Sequence, residues 1–114
     1  MNIKVAEKVT ARRVQMDGAA DVSMRMLIGP DDGAPNFNMR MFELAPGGHT
    51  PLHRHAWEHE VYILAGSGTL RTEDGDRPIA AGNCVFVPCE DLHQFANTGG
   101  ATLRFLCLVP SDSA

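Results

Sequence analysis

The sequence predicts an all-β fold, a sandwich or barrel made of short strands. Short β-prone runs alternate with turn signals along the chain, and no segment keeps a helical apolar period for more than a turn or two. The turn signals are PDDGAP, APGG, EDGD, AAGN and NTGG. Many short strands at close spacing favour a sandwich or barrel over a fold of alternating strands and helices.

The strands are expected in the runs between these turns. The clearest hairpin is EDGD, where Asp74 and Gly75 are expected to supply the positive-φ residues of a tight turn. From the amino terminus, the predicted strands are Ile3–Val5, Val22–Ile28, Phe37–Leu44, Leu52–His55, His59–Ala65, Gly68–Thr72, Pro78–Ala80, Cys84–Val87, His93–Asn97 and Thr102–Val109.

Composition narrows the class of protein. A chain of 114 residues suits one domain. Its apolar runs are too short for a membrane span, and its net charge of -4 without a basic cluster argues against nucleic acid and anionic membranes as partners. We find no signal-peptide pattern and expect a cytoplasmic protein. The three cysteines include no CxxC pair, so neither a disulfide framework nor a zinc ribbon is indicated.

The stretch HRHAWEHE, residues 53–60, concentrates groups that can bind a metal. Alternate residues of a strand share a face, so His53 and His55 could reach one ion if that face is the interior. His93 follows a turn about forty residues later in another β-prone segment. A neighbouring strand could place it opposite the first pair, and three imidazoles would then form a metal site.

The glycine, histidine, proline and asparagine spacing resembles the cupins, small β-barrels that carry a metal inside the barrel. The residues at the spacing of the two cupin motifs are Gly47, His53, His55, Gly66, Gly82, Pro88, His93 and Asn97. Glu90 stands where the family usually has glycine, so the turn before His93 is expected to form without that residue's positive-φ freedom. The resemblance implies one cupin domain over 1–114, with an amino-terminal arm and strands at 1–35 and the barrel motifs at 36–109.

The fourth ligand differs from the usual cupin glutamate. The full motif spacing selects His59, and the chain resembles a subgroup of small cupins in which a fourth histidine replaces the glutamate. Glu60 is the alternative, because alternation alone does not separate two apolar strand faces. The ligand set that the resemblance implies is therefore His53, His55, His59 and His93, or the same set with Glu60 in place of His59.

Four neutral imidazoles would leave a divalent ion its full charge and make it a strong Lewis acid. We expect one transition metal ion per chain, manganese or iron before zinc, nickel or copper, because a four-coordinate zinc would have no open position. Glu58 and Glu60 are candidate acceptors for the remaining ring N–H groups of the ligands.

Several further residues are candidates for the pocket around the ion. These are Arg40 as an anion anchor, Trp57 at the barrel wall, and Phe105 with Cys107 on one face of the last strand. His49 lies outside the ligand spacing and is expected at the rim. Met24, Met26, Met39 and Met41 form two i, i+2 pairs, which we interpret as packing on a sheet face and a possible dimer interface.

The cupin barrel hosts unrelated activities, so function must come from the site. The favoured hypothesis is a metal-dependent oxygenase-like enzyme that acts on a small organic substrate. The alternative is a non-catalytic domain that binds a small molecule, with a structural or ligand-holding metal. A homodimer is expected, because a barrel this small leaves apolar sheet surface uncovered.

Overall fold

The computed structural model describes residues 1–112 and confirms the all-β prediction. Apart from two short 3-10 helices, Ala6–Lys8 and Pro30–Asp32, the regular elements in that range are strands. They are β1 (Arg12–Arg13), β2 (Ala20–Ile28), β3 (Phe37–His49), β4 (His59–Ala65), β5 (Ser67–Thr72), β6 (Gly75–Ala80), β7 (Cys84–Val87), β8 (His93–Ala96) and β9 (Leu103–Pro110). No helix in these residues has the length and hydrophobicity of a membrane span.

The strands form one curled antiparallel sheet in the order β6-β5-β8-β3-β9-β4-β7. The long strand β3 organises it, because β3 pairs with β2, with β9 over most of its length, and with β8 at its end. β1 pairs only with β2. The amino-terminal part of the chain therefore adds strands to the sheet.

Alternation of buried and exposed side chains fixes which face of each strand lies inside. Along β4 the buried residues are His59, Val61 and Ile63, whereas Glu60 and Tyr62 between them are exposed. β9 buries Leu103, Phe105, Cys107 and Val109 in the same way. The interior of the curled sheet is thus apolar along most of its length, with histidines at one end.

Two predicted strands are absent. Ile3–Val5 precedes the first 3-10 helix and joins no sheet, because its apolar side chains find no pairing partner and stay exposed. Leu52–His55 is a loop with a single antiparallel bridge between His53 and His93. The backbone N–H of each of these histidines donates to the carbonyl of the other, at 3.1 and 3.0 Å.

Two predicted turns differ in detail. The β5–β6 hairpin pairs Thr72 with Gly75, so the two-residue loop is Glu73–Asp74 and only Gly75 takes a positive φ, of 114°. In the turn before His93, Glu90 itself adopts a φ of 66°. The Glu90 backbone therefore takes the left-handed conformation without glycine, contrary to the sequence expectation, and its N–H donates to the carbonyl of His55.

The amino-terminal segment is tied across β2 by one arginine. The Arg25 guanidinium donates to the carbonyls of Glu7 and Val9, each at 2.8 Å, and its Nε lies 3.1 Å from Glu43 Oε1. Arg104 contacts the other oxygen of Glu43 at 2.8 Å. Burial alone would raise the pKa of Glu43, but hydrogen bonds from these two arginines lower it below its ordinary value.

Candidate metal centre and cavity

Three of the predicted ligand histidines come together at the bridge between the two motifs. His53 and His55 lie in the loop before β4, and His93 is the first residue of β8. One nitrogen from each of the three rings lies within 4.8 Å of the other two. The Nε2 atoms of His53 and His55 are 2.9 Å apart. Two imidazole nitrogens this close can share one hydrogen bond or bind one ion.

His59, the fourth predicted ligand, lies beside this group at the start of β4. Its ring centroid is 4.9 Å from that of His55 and 5.2 Å from that of His93. The residue is buried, whereas Glu60 is exposed on the opposite face of the strand. The fold therefore turns His59 toward the cluster and Glu60 away from it.

The ring nitrogens have partners other than the predicted carboxylates. His93 Nδ1 lies 2.8 Å from the carbonyl of Asp91, so this nitrogen donates and Nε2 keeps its lone pair. His59 Nδ1 lies 3.2 Å from Cys107 Sγ. Glu58 and Glu60 are both exposed and have no described contact with the rings, because strand alternation directs Glu60 outward.

The imidazoles are held in the neutral form that a metal requires. Burial, followed by the neighbouring imidazoles, lowers the pKa of His53 to about 4. The same causes, with Arg40 contributing, lower the pKa of His59 to about 3. Burial, His93 and Arg40 also lower the pKa of His55. At neutral pH these rings can offer lone pairs.

The residues fit a divalent transition ion. His59 Nε2 is buried and has no hydrogen-bond partner among the described residues, which is costly unless another group satisfies it. The four rings offer imidazole nitrogens, which suit iron, nickel, copper and zinc and can hold manganese. His53, His55, His59 and His93 are thus the residues that would hold the ion.

The imidazole cluster opens onto an interior cavity of about 280 Å³. Of the residues predicted for the pocket, Arg40, Trp57, Phe105 and Cys107 all line it. Trp57 stacks on His55 with the ring centroids 4.6 Å apart, and Phe105 stacks on Phe42 at 5.4 Å. Arg40 Nη2 donates to Cys107 Sγ at 3.3 Å. The cavity is mostly apolar, and its polar lining consists of Arg40, the imidazoles, Asn38 and Thr50.

The structure also locates the methionines and the remaining histidine. Met24 and Met26 lie on the sheet face that lines the cavity, because they pair with the inward residues Phe42 and Arg40 of β3. His49 is half-buried beside Gln94 and does not line the cavity.

Sequence reasoning missed Asn38, a cavity residue that is 4% exposed. Its position two residues before Arg40, on the same strand face, is the signal that could have found it. Val14 and Met16 of the amino-terminal segment were also missed. No local pattern marks them, since they reach the cavity only through the pairing of that segment with β2.

The fold and the site geometry agree with the family comparison. Residues 40–109 match the cupin domain family, so the chain belongs to the cupins. The matched range includes the His53, His55 and His93 cluster, the neighbouring His59, and β9, which carries Cys107. The cupin class defined by barrel and histidines is therefore established for this chain.

Particular relatives differ in what they do. The structure of a polyketide cyclase, RemF, from Streptomyces resistomycificus is 37% identical, with a TM-score of 0.93 over 98% of this chain and 80% of that one. The oxalate-binding protein of Thermotoga maritima is 32% identical over 91% of this chain and 89% of that protein. A 1-methylthio-D-xylulose 5-phosphate methylsulfurylase of Rhodospirillum rubrum is 36% identical over 65% of this chain and 47% of its own length.

Proposed function

We propose that this protein is a metal-dependent enzyme that acts on a small, carbonyl-bearing organic molecule bound in the interior cavity. The observation that carries the proposal is the convergence of His53, His55 and His93, with the His59 ring beside them, on a mostly apolar cavity that also holds the Arg40 guanidinium. A divalent ion on His53, His55, His59 and His93 would supply Lewis-acid chemistry, because neutral ligands leave its charge free to polarise a carbonyl.

The chain's own residues would support charge that develops on such a molecule. Arg40 places a fixed cation in the same cavity and would stabilise negative charge on a ligand oxygen. The side chains of Phe105, Trp57 and Met24 keep water from the ligand, and this strengthens the electrostatic effect of the guanidinium.

The similarity to the polyketide cyclase, over nearly all of this chain, supports a carbonyl-rich substrate and a reaction of the cyclisation kind. Oxygen activation, which the sequence favoured, is a different reaction that an ion on the same ligands could support. Manganese or iron as the native metal and oxidoreductase activity both remain predictions, and oxygen uptake distinguishes the two reaction classes.

The ligand set can be tested by metal content. We expect His59→Ala to reduce the amount of bound transition metal at least tenfold, because it removes a coordinating nitrogen. Glu60→Ala should leave the content near that of the wild type, since Glu60 is exposed on the outer face. Elemental analysis of both variants, purified without chelating resin, gives the comparison. The reverse order would assign the fourth position to Glu60.

The proposed chemistry can be tested by titrating benzoylacetone, a β-diketone, with the protein as purified. We expect the ultraviolet absorbance of its enolate form to appear at least one pH unit lower than in buffer, and this shift to shrink in Arg40→Gln and His59→Ala. Binding without a shift would contradict the Lewis-acid proposal. Loss of the probe with stoichiometric oxygen uptake would favour an oxygenase instead.

A non-catalytic binding role is the second candidate, and the similarity to an oxalate-binding protein favours it. In that case the imidazole-bound ion and Arg40 would hold a small anion without turning it over. Calorimetry would then detect oxalate binding that Arg40→Gln weakens, and benzoylacetone would bind without a change in its enol acidity.

A further inference from the structure

Two side chains of β3 bring unsatisfied polar atoms into the cavity. Asn38 and Arg40 are alternate residues on the inward face of the strand, and both line the cavity. Asn38 Oδ1 and Arg40 Nε are buried and have no hydrogen-bond partner among the described residues. A buried polar group without a partner is unfavourable unless a ligand satisfies it. The pair thus offers one acceptor and one donor to a ligand.

Arg40 also brings a positive charge that nothing nearby balances. No carboxylate among the described residues lies within 4 Å of its guanidinium nitrogens, although five other cationic side chains in that part of the chain have such partners. Its contacts are Cys107 Sγ, at 3.3 Å from Nη2, and the Phe42 ring, 5.0 Å from the guanidinium carbon. A cation in apolar surroundings favours an anionic partner.

The rest of the cavity indicates what the anionic group is attached to. Around Arg40 and Asn38 the walls are aromatic and methionine side chains, namely Phe42, Phe95, Phe105, Met24 and Met26. Aromatic faces and adaptable methionines favour a flat apolar ring system. A volume of about 280 Å³ lies just below the usual range of drug-sized pockets, so the ligand is small.

We propose that Asn38 and Arg40 form a polar subsite for an aromatic hydroxy acid. Arg40 binds the negatively charged oxygen, and Asn38 Oδ1 accepts the hydrogen bond of the neighbouring hydroxyl. The assignment rests on the proposed function for the cavity, and it names the chemical class of the ligand. It also gives Asn38 a role in discriminating between substrates.

The probe for this subsite is 1-hydroxy-2-naphthoate, titrated by its fluorescence into the full-length protein as purified and after metal removal. Two analogues isolate the two contacts: 1-naphthol lacks the carboxylate, and 1-methoxy-2-naphthoate lacks the hydroxyl donor. In the wild type without metal we expect each analogue to bind at least fivefold more weakly than the probe.

Two variants assign those losses to residues. Arg40→Gln should weaken the binding of the probe at least tenfold and the binding of 1-naphthol less than twofold. Asn38→Leu, which keeps the side-chain size, should weaken the probe at least threefold and leave the methoxy analogue unchanged. Circular dichroism establishes that each variant is folded. If a variant does not fold, the analogue series on the wild type still decides.

Equal binding of the probe and both analogues by the metal-free wild type would overturn the subsite. So would losses in the variants that are the same for all three compounds. A discriminating subsite in a protein that leaves the acidity of benzoylacetone unchanged would keep this inference and reject the proposed Lewis-acid chemistry. Equal binding of the three compounds by a protein that does lower the pH at which the benzoylacetone enolate appears would reject only the subsite.

Discussion

Cys107 lies where the imidazole cluster meets the cationic side of the cavity. Its sulfur is 3.2 Å from His59 Nδ1 and 3.3 Å from Arg40 Nη2. Burial raises the pKa of this thiol, although Arg40 partly offsets the effect. If the sulfur accepts the Nδ1–H of His59, the Nε2 lone pair is left for an ion, and we propose that the cysteine is a positioning residue for this fourth predicted ligand.

Replacing Cys107 should therefore weaken metal binding without removing a ligand. We expect Cys107→Ala to lower the metal affinity about tenfold, as loss of a hydrogen bond to a ligand histidine generally does. Cys107→Ser, which keeps an acceptor, should recover most of the affinity. Competition against a chromogenic chelator measures both, with the exposed Cys84→Ser as the control. Equal affinities for the alanine and serine variants would assign the sulfur a packing role only.

At the level of elements, Arg25 couples the amino-terminal segment to the sheet. Its guanidinium joins two carbonyls of that segment to Glu43, and Val14 and Met16, further along the segment, line the cavity. We expect Arg25→Met to lower the free energy of unfolding by about 1–3 kcal/mol, because it leaves Glu43 and the carbonyls with fewer donors. Denaturant titration gives that value.

Hydrogen exchange shows which segments lose stability in Arg25→Met. Faster exchange in Arg25→Met should be confined to residues 5–16 and β2. Arg25→Lys keeps the positive charge but not the forked set of N–H donors. Its exchange rates should lie between those of the wild type and Arg25→Met. Exchange that accelerates equally throughout the sheet would contradict a local anchoring role.

The sequence predicted the elements whose pattern is local. The limits of β4 and β7 were predicted correctly, because β-branched and aromatic residues lie between clear turns. The loop at Leu52–His55 could not be distinguished from a strand, since its one bridge depends on His93, about forty residues away. The sequence placed Met24 and Met26 on a sheet face but could not tell which one, because pairing with β3 is what turns them inward.

For the candidate site, the motif spacing predicted that His53, His55 and His93 lie close together, and the same three rings are neighbours in the structure. The ring-nitrogen partners were not foreseeable. Cys107 Sγ and the carbonyl of Asp91 meet the imidazoles only through tertiary packing and a turn. Asn38 carries no motif, and its place two residues before Arg40 is the only sequence signal for it, whereas the lack of a partner for its buried oxygen is visible only in the structure.

On the scale of the whole molecule, the buried imidazoles make stability depend on pH. The unfolded chain binds protons at histidine below about 6.5, whereas the folded pKa values of His53 and His59 are about 4 and 3. The unfolded state therefore binds more protons as the pH falls. We expect the metal-free protein to have its full stability above pH 6.5 and to lose stability steadily between pH 6.5 and 5.

Denaturant unfolding across this range measures the dependence. His59→Asn should reduce the slope, because it removes one of the depressed groups. Glu43 does not interfere. Its pKa is lowered from 4.5, so its contribution to stability is constant above that pH and is lost only at lower pH. A flat profile in the wild-type protein would mean that these rings already bind protons in the folded state.

Assembly also belongs to this scale, and we propose a homodimer through the outer face of β4, β7 and β9. Tyr62 and Phe86 are 45% and 61% exposed there, and half-buried leucines of β9 adjoin them. Light scattering should give twice the chain mass of 12.4 kDa. Phe86→Glu should produce a monomer, whereas Leu52→Glu, equally apolar and exposed but in the loop before β4, should not. A wild-type monomer at micromolar concentration would reject the interface.

The bridge between His53 and His93 determines whether the entropy of bringing the imidazoles together is lost during folding or during metal binding. Two backbone hydrogen bonds, independent of any side chain, join segments about forty residues apart. The entropy of closing that loop is therefore lost during folding rather than during coordination. Uptake of an ion should bury little additional surface and be accompanied by a heat-capacity change close to zero, in contrast to small zinc domains, which fold around their metal.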